Sequence, residues 1–147
     1  MDQRRGFTMV ELIIVLVVGT ILTTMAMRAI SDYQMSTSVS QARQVFLSMH
    51  ARARAQAIEL GQDVELKIDT ANDSVYVASG GVTLTGVGVR TQFGVDIQGS
   101  GTHTVCMNSR GFADTSCNSF STTLSLVFAQ GSEADTVQVL PLGQVLY

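Results

Sequence analysis

The feature that most constrains this chain is an apolar run over residues 7–27 that carries one acidic side chain near its start. As a helix, the run is long enough to cross the hydrocarbon core of a membrane, which requires about 20 residues. The acid is Glu11, and an ionisable group inside an apolar span is costly and usually functional. Arg4 and Arg5 precede the run, so the positive-inside rule predicts a cytoplasmic N-terminus and an outward-facing remainder.

The start of this run resembles the class III signal of type IV pilins and type II secretion pseudopilins. The residues that carry the resemblance are Gly6-Phe7-Thr8-Met9-Val10-Glu11. In that family a prepilin peptidase cuts after the glycine and methylates the new N-terminal amine. The resemblance therefore implies cleavage between Gly6 and Phe7 and N-methylation of Phe7.

The same resemblance implies an assembly role for Glu11, whose carboxylate meets the N-terminal amine of an adjacent subunit. Phe7 and Glu11 are then the assembly residues. Two alternatives remain open. Glu11 is also a favourable acid for the first turn of a helix, and the whole run also suits a plain single-span anchor.

A single helix is predicted from residue 7 to residue 60. Residues 29–60 contain no glycine or proline, and their apolar side chains recur at spacings of three and four, which indicates one buried stripe. Gly61 is a natural C-cap, and the polar stretch 31–40 predicts a bend or a local break. The predicted stripe consists of Val39, Ala42, Phe46, Met49, Ala53, Ala57 and Leu60.

After Gly61 the apolar period changes to two, which predicts strands. Strands are predicted at 64–69, 74–78, 104–107, 123–129, 136–140 and 144–147, with short ones at 82–84, 87–89 and 95–97 among glycine-rich loops. Asn72-Asp73 and Pro141-Leu142-Gly143 are the predicted hairpin turns. The predicted fold class is α+β, with a long transmembrane-to-periplasmic helix packed on an antiparallel β-sheet or β-sandwich domain.

The expected division of the chain has four parts. Residues 1–6 are a prepilin leader peptide, and residues 7–28 are a transmembrane and filament-core helix. Residues 29–61 continue that helix as an amphipathic segment, and residues 62–147 form a globular β domain. The expected location is the inner membrane, crossed once, with the C-terminal domain in the periplasm or outside the cell, followed by incorporation into a filament.

Cys106 and Cys117 are the only cysteines, and both lie in the outward-facing part, where disulfides persist. A disulfide between them would close a short loop and add about 2–3 kcal/mol of stability. Two free buried thiols are the alternative. A metal site is the least favoured reading, because two cysteines do not complete a tetrahedral zinc site. No metal site and no cofactor are predicted.

Four segments narrow the resemblance to the GspH/FimT family, which comprises the minor pseudopilin H of type II secretion and the FimT/FimU minor pilins. Residues 53–57 with Gly61 match the family's A-R-x-x-A-x(3)-G helix end, and residues 64–66 match the strand after it. Residues 106–112, with Ser109-Arg110-Gly111-Phe112, resemble its F-x-x-x-G-R region, and residues 141–145 resemble its terminal P-x-G-R-V motif. Phe112 and Gln144 stand where the family often has arginine.

The function implied is that of a structural minor pilin or pseudopilin, of low copy number, with a tip or initiation role. Its partners would be other pilin subunits, bound through the N-terminal helix, the prepilin peptidase and the inner-membrane assembly platform. Type II secretion pseudopilus and type IV pilus are both open, as is a major-subunit role. A DNA-binding minor pilin is the other alternative, but the net charge of −3 and the two missing arginines disfavour nucleic-acid binding.

Enzymatic activity is not predicted. His50 and His103 are the only histidines and stand apart in the sequence, and no G-x-S-x-G nucleophile motif occurs.

Overall fold

The computed structural model of the chain describes residues 8–147. In this part of the chain, helix α1, Met9–Leu60, is followed by eight strands and a short second helix. The strands are β1 Val64–Asp69, β2 Ser74–Ser79, β3 Val82–Gly88, β4 Asp96–Gln98, β5 Thr102–Met107, β6 Leu124–Gln130, β7 Glu133–Val139 and β8 Val145–Leu146, and helix α2 is Val89–Phe93. Two compact units are present, one ending at Gln34 and the other comprising Met35–Tyr147.

The strands of the second unit form two antiparallel four-stranded sheets. The order is β3-β2-β1-β5 in the first sheet and β4-β6-β7-β8 in the second. The predicted hairpins are confirmed, since β1 pairs with β2 across Asn72-Asp73 and β7 pairs with β8 across Pro141-Leu142-Gly143. A long apolar N-terminal helix followed by antiparallel sheets confirms the predicted α+β class.

The apolar stripe of α1 explains how the helix packs within the second unit. Its members from Val39 to Ala57 are buried and share one core cluster with side chains of both sheets. The ring of Phe46 lies 5.8 Å from the ring of Phe128 on β6, measured between centroids. Leu60 was predicted to belong to the stripe but is exposed. The helix ends there, and Gly61 follows with a positive φ of 63°, as its C-cap role requires.

The polar stretch 31–40 does not interrupt α1. Every residue in it is helical, so the predicted break is wrong. The stretch contains neither glycine nor proline, the two residues that most disfavour a helix interior, and polarity alone does not end a helix.

The alternating pattern of β1 has the predicted consequence. Val64, Leu66 and Ile68 are fully buried, whereas Glu65 and Lys67 on the other face form an ion pair at 2.7 Å. The same alternation buries one face of β6. The sequence therefore specified the face of these strands as well as their position.

The glycine-rich segment 80–101 differs from the prediction. Residues 82–84 and 87–89 were expected as separate strands, but Val82–Gly88 is one strand, with a bulge that leaves Leu84 without a partner on β2. Residues Val89–Phe93 then form α2, which was not predicted. The bulge breaks the alternation on which the prediction depended.

A buried carboxylate explains why the chain turns into α2 at this point. Asp73 is buried and has a positive φ of 45°, and its carbonyl accepts a hydrogen bond from Val89 N–H at 2.7 Å. Its Oδ1 accepts from Ile97 N–H at 2.6 Å, and its Oδ2 pairs with Arg90 Nε at 2.8 Å. Arg90 also pairs with Asp96 at 2.7 Å. One side chain thus links the β1–β2 turn with α2 and with β4 of the other sheet.

We expect Phe46→Ala to lower the free energy of unfolding by about 3–5 kcal/mol, because it removes a fully buried ring from the contact between α1 and β6. The matched control is Leu60→Ala on the same helix, where the side chain is 48% exposed and the expected loss is below about 1 kcal/mol. Urea unfolding of the detergent-solubilised chain measures both. Equal losses for the two variants would contradict the burial assigned to the stripe.

Candidate functional site

The start of α1 is capped by the side chain of Thr8. Thr8 and Glu11 have the spacing of a capping box, and Glu11 N–H donates to Thr8 Oγ1 at 3.3 Å. Leu12 N–H donates to the Thr8 carbonyl at 3.2 Å, which is the first turn of the helix. Glu11 therefore occupies the third helical position, where the helix dipole favours a negative charge. This local role of Glu11 exists whether or not a second chain is present.

The predicted processing site lies outside the described residues. Gly6 and Phe7 are in that portion, so cleavage between them and N-methylation of Phe7 stay predictions. The predicted contact between Glu11 and the amine of Phe7 in a neighbouring subunit also stays a prediction.

The first unit presents an unusually large apolar surface. Every side chain from Met9 to Ile30 is exposed, and most of them are aliphatic. Among the described residues, α1 is the helix long and apolar enough to cross a membrane by length and composition. A contiguous apolar surface of this size marks contact with lipid or with protein.

The polar side chains of this surface are satisfied within the helix. The hydroxyls of Thr20, Thr23 and Thr24 each donate to a backbone carbonyl three or four residues earlier, at 2.8 Å. A hydroxyl bonded in this way costs less to bury in an apolar environment than one that has lost its partner. The threonines are therefore compatible with lipid and with close packing against another helix.

Cys106 and Cys117 form a disulfide in the second unit, and their Cα atoms lie 5.8 Å apart. The sequence left open a disulfide, two free thiols or a metal site, and the described structure contains the disulfide. The carboxylate of Glu65 lies beside it, with the three possible ligand atoms within 4.8 Å of one another. In the disulfide both sulfurs are bonded to each other, so this group offers no thiolate to a metal.

Three sequence-distant motifs meet at one place, which we call the motif junction and define by Arg54, Gly111 and Gly143. Arg54 Nη2 on α1 donates to the carbonyl of Gly143 at 3.0 Å. Gly111, with a φ of 78°, packs so closely that a Cβ there would lie 2.8 Å from Ile58 Cδ1. Ala113 N–H donates to the Leu142 carbonyl at 3.4 Å. The helix end, the loop after β5 and the terminal turn are thereby held together.

His50 is buried beside the motif junction, one turn before Arg54. Burial, followed by the nearby charge of Arg54, lowers the pKa of His50 from 6.5 to about 4, although a backbone hydrogen bond with Gly143 acts in the opposite direction. Its Nε2 has no hydrogen-bond partner among the described residues. Neutral and enclosed at neutral pH, His50 contributes to packing of the junction.

Sequence reasoning missed a second polar contact of α1. Arg43 is not a member of the predicted stripe, yet it pairs with Asp135 of β7 at 2.8 Å. Its guanidinium also lies 5.3 Å from the ring centroid of Tyr147. The three residues are far apart in the sequence, and no local pattern signals their meeting.

The comparisons with known proteins bear on the N-terminal segment. The prokaryotic N-terminal methylation motif matches residues 1–27. The chain carries the methylation motif of prepilin-like proteins. That motif implies processing by a prepilin peptidase and a role of the pilin or pseudopilin type, a structural class that is not typically enzymatic. Comparison with curated proteins and with solved structures found no match.

The motif and the exposed apolar part of α1 together indicate membrane anchoring of this prepilin-like chain. The arrangement of a long apolar N-terminal helix followed by antiparallel sheets is the pilin-like layout. The residues that the sequence predicted for processing and assembly, Gly6, Phe7 and Glu11, therefore lie within the matched methylation motif.

We expect the double variant Cys106→Ala/Cys117→Ser to lower the free energy of unfolding by about 2–3 kcal/mol, because the unfolded chain regains the freedom of the closed loop. Urea unfolding compared with the unsubstituted chain, oxidised and reduced, measures the loss. The reduced unsubstituted chain is the matched control and should unfold like the variant. A variant as stable as the oxidised chain would contradict a stabilising disulfide.

We expect the contribution of His50 to the free energy of unfolding to fall as the pH drops from about 6.5 to about 4 and to stay constant below. In this window the unfolded chain protonates His50 and the folded chain does not, so acid favours unfolding. The loss from His50 is on the order of 3 kcal/mol. Subtracting the profile of His50→Gln, which cannot titrate at this position, isolates the contribution, and identical profiles for both proteins would contradict it.

Proposed function

We propose that this prepilin-like chain is a structural subunit of a type II secretion pseudopilus or a type IV pilus. Processing would occur between Gly6 and Phe7, and the new N-terminus with Glu11 would direct assembly. The observation that carries the proposal is the methylation motif over residues 1–27, continued by a helix whose apolar side chains are exposed.

The chemistry of α1 supports assembly by helix packing. Aliphatic side chains from Met9 to Ile30 need an apolar environment both before and after assembly, and neighbouring helices provide one when lipid is left behind. Gly19 has open space where a Cβ would stand, and Thr20 and Thr23 beside it have satisfied hydroxyls. Small residues of this kind allow two helices to approach closely in an apolar phase.

Charge defines the proposed orientation. Arg4 and Arg5 would hold the N-terminus in the cytoplasm, and the β domain would stand in the periplasm or outside the cell. The disulfide of the second unit is consistent with an oxidising compartment. Within this proposal, residues 1–6 are the leader, 7–28 the membrane and filament-core helix, 29–61 its amphipathic continuation and 62–147 the globular domain.

We further propose that the chain is a minor subunit similar to the GspH/FimT family, present in low copy number at a tip or during initiation. The motif junction supports this proposal, because three of the segments that resemble the family contact one another in space. Motifs that pack together depend on one another, which is expected of inherited structural motifs more than of chance matches.

The DNA-binding branch of that family receives no support from the same region. Phe112 follows the junction residue Gly111 and is 63% exposed, and Gln144 follows Gly143. Both stand where the family often has arginine, and neither neutralises a phosphate. The acidic net charge of −3 acts in the same direction. We therefore propose protein partners for this subunit: other pilins, the prepilin peptidase and the inner-membrane assembly platform.

The decisive variant is Glu11→Gln, because glutamine can still complete the capping box with Thr8 but carries no charge. We expect Glu11→Gln to reduce the filament-associated share of the chain as severely as Glu11→Ala, since both leave the partner amine unpaired. The measurement is immunodetection of the chain in sheared filaments relative to the membrane fraction of the same cells.

The control is Thr8→Val, which removes the cap and keeps the charge. A lost cap costs about 1 kcal/mol of helix stability, so this variant should assemble nearly as well as the unsubstituted chain. Normal assembly of Glu11→Gln would contradict the proposed charge contact and leave Glu11 only with its favourable position in the first helical turn.

A further inference from the structure

The two sulfurs of the disulfide have different surroundings. Cys106 lies on β5 and is only 1% exposed. Cys117 is exposed and lies in the strap, which we define as residues 114–119 beside β5. Thiol–disulfide exchange proceeds by attack of a thiolate on one of the two sulfurs, and its course depends on which sulfur is accessible. In the folded chain, exposure therefore directs an external thiolate to Cys117.

Hydrogen bonds hold the strap over Cys106 in addition to the disulfide. Cys106 N–H donates to Asn118 Oδ1 at 2.9 Å, and the Cys106 carbonyl accepts from Asp114 N–H at 2.8 Å. Ser119 N–H donates to the Thr104 carbonyl at 3.0 Å, and Ser119 Oγ accepts from Thr104 N–H at 2.8 Å. These bonds do not involve either sulfur, so they remain available to cover Cys106 when the disulfide is cleaved.

A carboxylate lies next to the two sulfurs. Glu65 on β1 is directly opposite Cys106 in the pairing of β1 with β5. A carboxylate oxygen of Glu65 and the sulfurs of Cys106 and Cys117 all lie within 4.8 Å of one another. Lys67 Nζ pairs with Glu65 Oε2 at 2.7 Å and offsets part of its charge. A negative charge so close disfavours a thiolate on Cys106, which is the sulfur that leaves when Cys117 is attacked.

We propose that Cys117 is a thiol-exchange site of the folded protein and that Glu65 restrains its reaction. An external thiolate attacks Cys117 Sγ and forms a new S–S bond with it, while the bond between Cys117 and Cys106 breaks. The electron pair of the broken bond leaves with Cys106 Sγ, which takes a proton from water. Return attack by the Cys106 thiolate restores the disulfide and releases the external thiol. The reactant is a thiol, either a small one such as glutathione or the cysteine of a dithiol protein.

This exchange does not depend on the proposed assembly function. All the groups that take part belong to β1, β5 and the strap, and neither Glu11 nor the methylation motif contributes to the reaction. The Glu11→Gln variant should therefore exchange like the unsubstituted chain, which separates a failure of this proposal from a failure of the assembly proposal.

Peptide mapping of the full detergent-solubilised chain tests which sulfur is attacked. The oxidised chain reacts briefly with glutathione, and N-ethylmaleimide then blocks every free thiol. Arg110 is the only basic residue between the two cysteines, so trypsin separates them into different peptides for mass spectrometry. We expect glutathione on the Cys117 peptide and maleimide on the Cys106 peptide at least about tenfold more often than the reverse, because access selects the sulfur. An equal or reversed distribution would overturn the proposal.

A second reactant distinguishes the two sources of thiol. A purified dithiol protein whose resolving cysteine has been replaced reacts with the oxidised chain in the same way, and its adduct is trapped and mapped as before. Both reactants should modify Cys117, and the one with the higher rate per thiolate identifies the source. An adduct on the Cys106 peptide with either reactant as the main product would contradict the assignment of the site.

Charge variants test the restraint by Glu65. Glu65→Gln should raise the rate of reduction by glutathione about fivefold, because the departing Cys106 thiolate no longer meets a negative charge. Lys67→Gln should lower that rate, because the charge of Glu65 is then no longer offset. Glu133→Gln is the matched control, which removes the same charge from β7 of the other sheet and should leave the rate unchanged.

Opposite effects of the two variants separate an electrostatic role from a structural one. If the ion pair of Glu65 and Lys67 only stabilised β1, its loss would loosen the strands and raise the rate in both variants. Circular dichroism verifies that all three variants fold. A faster reduction of Lys67→Gln, or an unchanged rate for Glu65→Gln, would overturn the proposed restraint.

Discussion

The contact between Phe46 and Phe128 is the point on which the second unit depends. The two rings, 5.8 Å apart, join α1 to β6, and both are fully buried in a core that includes side chains of both sheets. The stripe of α1 packs against apolar side chains of both sheets, since a sheet with one apolar face needs another layer to cover it. The helix end, the loop after β5 and the terminal turn are then fixed around that layer through Arg54 and Gly143.

The first unit differs from the second in that its apolar side chains are not buried. Its aliphatic side chains are exposed over more than twenty residues, and the structure of one chain offers them no cover. Lipid and neighbouring helices are the two environments that can provide it, and a prepilin-like protein uses them in succession. In the proposed assembly, Glu11 limits which neighbouring subunits can pack there, because a carboxylate in an apolar surface requires a cationic partner. The capping hydrogen bond with Thr8 holds its backbone in place meanwhile.

Much of this architecture could be predicted from local sequence patterns. The spacing from Val39 to Ala57 gave the buried face of α1, and the alternation of Val64, Leu66 and Ile68 gave both the position and the inner face of β1. Glycine at position 61 marked the helix end, and the paired cysteines were found together. In each case the sequence pattern is periodic or local, so it can be recognised without knowledge of the fold.

The structural features that the sequence patterns did not predict have a common physical cause. Helix α2 depends on hydrogen bonds from Val89 and Arg90 to Asp73, sixteen or more residues away, and no periodicity encodes them. The ion pair of Arg43 was not predicted because its partner Asp135 is remote in sequence. The start of α1 is the reverse case: its chemistry is predicted by a short motif, while the partner that we propose for it belongs to another chain.

Processing as a prepilin-like subunit would leave a defined N-terminus on this chain. Mass spectrometry of the chain purified from cells that contain a prepilin peptidase determines that N-terminus. We expect a mature protein that lacks residues 1–6 and begins with N-methylated Phe7. A chain that retains Met1, or that is cut after the apolar run as an ordinary secretory protein would be, would contradict it.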